Sequence, residues 1–136
     1  MSRKLTALLL GAATLTAFAA PVQAGPRLSP EAELERALQG RVAGEPVDCV
    51  NLRTVRSSQV IDRTAILYDA GSTIYVNRPR NGAEALRRHD AQVVRPFGTR
   101  LCSIDTVQMI DTSSGINTGH VFLGEFVPYR RVRSRD

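Results

Sequence analysis

The sequence predicts a mainly β fold of the α+β type: a compact antiparallel sheet, curled or barrel-like, with a short N-terminal helix and one disulfide. Three observations lead there. From Cys49 onward, short apolar runs alternate with turn-forming residues, the pattern of several short strands. A single helix start, Ser29-Pro30-Glu31, precedes them. Cys49 and Cys102 are the only cysteines of the chain, and in a small domain they pair most simply with each other.

The chain opens MSRKLTALLLGAATLTAFAAPVQAG. Arg3 and Lys4 form a basic head, Leu5 to Ala20 an apolar run, and Val22-Gln23-Ala24 a small-x-small cleavage pattern. The run is short and rich in Ala and Thr, which suits a cleaved secretory signal better than a membrane anchor. The expectation is a signal peptide over 1–24, export to the periplasm or beyond, and no transmembrane segment after cleavage. Arg3 and Lys4 account for two of the 18 basic residues, so the mature chain carries 16 against 13 acidic, a net +3 in place of +5. Every mature basic residue is Arg. That usage can reflect base composition of the genome, yet Arg is also the side chain best suited to bidentate contact with carboxylate or phosphate.

Ser29 reads as an N-cap, Pro30 as the first helical residue and Glu31 as the acid of the first turn. Leu34, Leu38 and Val42 repeat at four-residue spacing, a narrow apolar stripe that Gly40 and Gly44 bring to an end. Residues 25–48 are thus a helical arm and linker, 49–129 a disulfide-stapled β-rich domain, and 130–136 a basic tail. Within the domain, strands are expected over Val50–Val55, Thr64–Tyr68, Thr73–Val76, Gln92–Arg95, Leu101–Ile104, Val107–Ile110, Val121–Leu123 and Phe126–Val127. Asp69-Ala70-Gly71-Ser72 joins the second and third of these as a hairpin, and Gly82 to Arg88 has room for one or two helical turns. A disulfide in an exported domain, closing a loop of 53 residues, contributes roughly 4 kcal/mol in the chain-entropy model.

No catalytic, metal or cofactor pattern stands out. Cysteines joined to each other supply no thiolate, and no Gly-x-Ser-x-Gly elbow is present. His89 and His120 lie far apart without ligand spacing, and Asp105 and Asp111 sit where turns place acids. Asp62 and Asp105 could form a carboxylate pair, but capping is the simpler role for each. The clearest polar feature is the stretch YVNRPRNG, where a strand runs into a stiff loop with an arginine on each side of Pro79. Arg78, Arg80, Arg87 and Arg88, with Tyr75 as a stacking or packing neighbour, are the candidate binding residues. The expected partner is an anionic envelope component or a protein. Nucleic acid is disfavoured by the modest charge, the few aromatics and export. Two rival readings stay open: a hydrolase-like envelope enzyme using His89, Asp62 or Asp105, and an exported inhibitor presenting the polar connection Thr112–Gly119.

A set of spaced residues runs through the domain: Cys49 with Leu52-Arg53, Val60-Ile61-Asp62, Thr64-Ala65-Ile66, Gly71, Tyr75-Val76-Asn77-Arg78, Leu101-Cys102-Ser103-Ile104-Asp105 and Leu123-Gly124-Glu125-Phe126-Val127-Pro128. Together they resemble a family of small exported proteobacterial proteins catalogued only as a domain of unknown function. The resemblance covers Cys49 to about Pro128 and implies export and a disulfide-stapled fold, with no activity. Some members carry a second cysteine pair at positions that fall near Ala83 and Val121 here. This chain lacks it, and the resemblance implies that those two residues lie close in space.

Overall fold

The computed structural model describes residues 24–133. The predicted signal segment lies outside the described residues except for Ala24, as do residues 134–136 of the predicted tail. Helix α1 spans Pro30–Ala37 and begins as expected: the Ser29 hydroxyl accepts a hydrogen bond from the Ala32 N–H, with Glu31 and Glu33 in the first turn. It is shorter than the apolar stripe suggested. Gly40 adopts φ +72°, and the chain then turns into strand β1, Arg41–Ala43, on which Val42 is 58% exposed. Val42 therefore belongs to no helix face.

Nine further strands follow, all paired antiparallel: β2 (Cys49–Asn51), β3 (Ser57–Ile61), β4 (Ala65–Asp69), β5 (Thr73–Asn77), β6 (Asp90–Val94), β7 (Arg100–Cys102), β8 (Thr106–Asp111), β9 (Asn117–Phe122) and β10 (Phe126–Arg131). The expected hairpin is β4–β5, turning at Asp69, whose carboxylate accepts the Gly71 N–H. Strand Val50–Val55 is cut short at Asn51, because Thr54 donates back to the Asn51 carbonyl and closes a turn. β3 was not expected. The helical region after Gly82 is a single 3-10 turn, Ala83–Ala85. Arg130 and Arg131 extend β10 and pair with β1, so part of the basic end is strand.

The strands form a five-stranded sheet ordered β1-β10-β5-β4-β3, a three-stranded sheet β6-β8-β9 and the pair β2-β7. Cys49 and Cys102 sit directly opposite one another on β2 and β7 and are bonded. The sheets do not close into a barrel. At the open side β3 and β6 are bridged by a side-chain bond from Gln92 to Ser58, with no backbone ladder between them.

Alternation along the strands covers both faces of the five-stranded sheet. On one face Val60, Ile66, Tyr68 and Phe126 join Val50, Leu101, Met109 and Val121 from the other sheets in the larger core. On the other, Ile61, Leu67, Val76 and Ile74 pack beneath Leu34 and Ala37 of the helix. Two covered faces explain why Thr64–Tyr68 reads as a continuous apolar run instead of an alternating one.

Candidate functional site

The stretch YVNRPRNG leaves the end of β5 and divides between the two faces. Tyr75 lies opposite Tyr68 and Pro128 and packs against the larger core. Asn77, fully buried on that same face, makes two bonds to Gly124: its amide donates to the Gly124 carbonyl at 2.7 Å and its oxygen accepts the Gly124 N–H at 3.1 Å. Arg78 reaches the helix side instead, where its two terminal guanidinium nitrogens each donate to Glu31 at 2.9 Å. Tyr75 is therefore no stacking partner for a group bound at Arg78, since the two residues serve opposite faces. The loop then lies along β9, with the Arg80 N–H donating to the Phe122 carbonyl and Phe122 donating to Asn81. Gly82, at φ +79°, closes the turn so tightly that a Cβ there would stand 2.2 Å from the His120 carbonyl oxygen and 3.2 Å from the Val121 Cα. The turn entering Ala83 thus packs directly on the β9 segment that holds Val121.

Arg88 is also tied. Its backbone N–H and Nε donate to Asp62 at 2.7 and 3.0 Å, and its Nη2 reaches Glu33 of α1 at 2.8 Å. Partial burial pushes the Asp62 carboxyl up, but the Arg88 backbone and guanidinium donors and its charge outweigh that and hold it below its usual range. Glu31 is lowered chiefly by its bond from Arg78. Of the four predicted arginines, two therefore fasten the helix to the sheet. Arg80 and Arg87 are exposed and have no ion-pair partner among the described residues.

Three adjoining hollows share Arg88 and His89. The widest, about 660 Å³, runs under the start of α1 between Arg27, Arg36, Glu33 and Asp62. A second, about 410 Å³, is walled by Arg63, Leu86 and Arg87. The third, about 320 Å³, occupies the gap between β3 and β6 and includes Asp90, whose carboxylate accepts the Thr118 hydroxyl. Arginines 27, 36, 63, 87 and 88 stand around this groove against Glu33, Asp62 and Asp90, an excess of two positive charges before His89 is counted. Of these five arginines, Arg88 alone is ion-paired among the described residues.

Arg27, Arg36 and Arg63 were not singled out from the sequence. Glu33 and Arg36, three apart on α1, carry a readable signal, since that spacing sets both on one helix face. Arg63 carries none. It occupies the left-handed region at φ 55° in the turn between β3 and β4, a geometry visible only once both strands are placed.

The other candidates disperse. Asp105 lines none of the three hollows, and its carboxylate accepts the Cys102 N–H at 2.7 Å. Asp111 accepts from Ser113 and from the Ser113 and Ser114 N–H groups, which lower its pKa to about 2. Those bonds make residues 112–116 a tight turn, and Asn117–Gly119 already belong to β9, so the proposed inhibitor loop is largely occupied by its own hairpin. His120 stands on β9 beside Val93 and Arg95, apart from His89, and no cluster suited to a metal ion occurs among the described residues. No helix of the described residues is long and apolar enough to cross a membrane. Comparison with known proteins finds no matching family model, no matching curated protein and no matching solved structure.

Proposed function

We propose that this protein is an exported, non-enzymatic domain that binds an anionic component of the cell envelope in the groove around Arg88 and His89. The observation that carries the reading is the contrast among the groove arginines. Arg88 spends its charge on Glu33 and Asp62 as a scaffold, whereas Arg27, Arg36, Arg63 and Arg87 surround it with no ion-pair partner among the described residues. Guanidinium groups arranged in this way suit phosphate or carboxylate, which they engage through paired N–H donors.

Export is supported by the basic-apolar-small pattern of residues 1–24 and by the disulfide, which persists in oxidising compartments. The resemblance to the exported proteobacterial family points the same way and brings no activity with it. Binding is favoured over hydrolysis because the carboxylates a hydrolase would need are engaged: Asp62 by Arg88 and Asp105 by the Cys102 amide.

The test is titration of the mature chain, residues 25–136, with inorganic pyrophosphate and with dextran sulfate, followed by NMR. Shifts should gather on residues 27–36, 62–63 and 86–90 and weaken with salt. Arg63→Gln with Arg87→Gln should weaken binding about tenfold, taking roughly 0.7 kcal/mol per lost solvent-exposed charge pair. Shifts scattered over the surface, or a double variant that binds like the parent, would reject the groove.

A further inference from the structure

The loop between β6 and β7 carries a second, separate feature. It runs Arg95-Pro96-Phe97-Gly98-Thr99 into Arg100 of β7, and the Phe97 side chain is fully exposed, unlike Phe126 in the core. Pro96 fixes the backbone on one side, and Gly98 at φ +74° turns it on the other, so the aromatic ring stands at a tip. The base of the tip is held by the Leu52 N–H, which donates to the Thr99 carbonyl at 2.8 Å, and by the pairing of Asn51 with Arg100. Arg95 and Arg100 flank the tip in the chain, and Arg53 follows Leu52, the residue bonded to its base. None of the three has an ion-pair partner among the described residues, and segments 49–61 and 91–102 contain no Asp or Glu. The nearest acids in sequence beyond Cys102 and Cys49 are already engaged, Asp105 by the Cys102 amide and Asp48 by the Ser103 hydroxyl.

We infer that this tip is an interfacial anchor that docks the protein on an anionic phospholipid bilayer. A protein partner needs on the order of 800 Å² from each side, far more than one ring on a stalk offers. A bilayer interface asks for less: an apolar group buried below the headgroups and basic side chains level with the phosphates. Phe97 and the three arginines meet both needs. The geometry also leaves the groove free. His89 and Asp90 lie at the start of β6 and the tip follows its end at Val94, so the strand, roughly 17 Å long, separates the two sites.

The chain has no tryptophan, which makes Phe97→Trp a single-site probe. With vesicles of phosphatidylglycerol and phosphatidylethanolamine, its emission should shift to the blue, and with phosphatidylcholine vesicles it should not. In co-sedimentation, Phe97→Ser should bind anionic vesicles at least tenfold more weakly at an unchanged melting temperature, since the ring packs on nothing. Arg95→Gln and Arg100→Gln should each cost about fivefold, while the Arg63→Gln, Arg87→Gln double variant should bind vesicles normally. An unshifted tryptophan, parental binding by Phe97→Ser, or loss through the groove variant in place of the tip variants would each overturn the inference. The first two results would leave pyrophosphate binding by the groove untouched, and the third would assign the lipid phosphate to the groove arginines.

Discussion

On one face of the five-stranded sheet, Val60, Ile66, Tyr68 and Phe126 interlock with Met109 and Val121 from the strands beyond and with Leu123 just past β9. On the other, Ile61, Leu67 and Val76 lie under an eight-residue helix that contributes Leu34 as its one buried side chain. The first face is closed by apolar packing and a disulfide, the second by Leu34 with partly buried Ala37 and Leu38 and by a set of solvent-accessible ion pairs: Arg78 with Glu31, and Arg88 with Glu33 and Asp62. Exposed pairs add little stability, so the helix side is the weaker closure. The difference teaches where the arginines can act. Those that fasten the helix are committed to structure, and those with no such duty, Arg27, Arg36, Arg63 and Arg87, remain for a ligand.

The contrast is open to direct attack. Phe126→Ala removes a fully buried ring whose centroid lies 5.7 Å from that of Tyr68, and should cost about 3–5 kcal/mol in urea unfolding. Leu34→Ala should cost about 2 kcal/mol, at the low end of the large-to-small range because the covering helix can settle into the space. It should also raise hydrogen exchange of the α1 amides while leaving β8 and β9 protected. Equal losses from the two substitutions, or exchange spreading to β8, would show one undivided core.

The larger core also contains its own defect. The Tyr68 hydroxyl is buried with no hydrogen-bond partner among the described residues, and burial drives its pKa well above the usual phenol range. Removing an unpaired buried polar group recovers its desolvation cost, so Tyr68→Phe should raise stability by about 1 kcal/mol. A loss of stability would mean that the hydroxyl has a bonding role on that face.

Much of this division is visible in the sequence, and the parts that are not share a cause. The start of α1 is local chemistry, Ser29 capping Ala32, and so is the Asp69–Gly71 turn of the hairpin. β3 escapes because Ser57-Ser58-Gln59 offers no apolar rhythm at a sheet edge, and β1 because three residues give no period. Val42 misleads for the opposite reason: it keeps helical spacing across Gly40, where the backbone has already turned. At the site, the importance of arginine can be read, but not which arginines are already engaged. The partners of Arg78 and Arg88 stand 47, 55 and 26 residues away, and only the fold brings them together.

The smallest effect expected is also the most specific to the helix side. Glu31 and Asp62 have folded pKa values below their ordinary ones, Glu31 through the bond from Arg78 and Asp62 because the Arg88 donors overcome its partial burial. A lowered folded pKa means that the stabilising contribution is complete above the unfolded value and is lost as pH falls through the folded one. Acidification below the ordinary carboxylate range should therefore loosen α1 while the apolar face, which has no such pairs, stays closed. Carboxyl NMR titration checks this against an internal reference, Asp111, which should titrate at about 2 because Ser113 and Ser114 hold it. Arg78→Gln should return Glu31 to the ordinary range, leave Asp111 near 2, and barely change the melting temperature, since both partners are largely exposed. If Glu31 titrates normally in the parent protein, Arg78 does not hold the helix and joins Arg80 and Arg87 among the arginines open to a ligand.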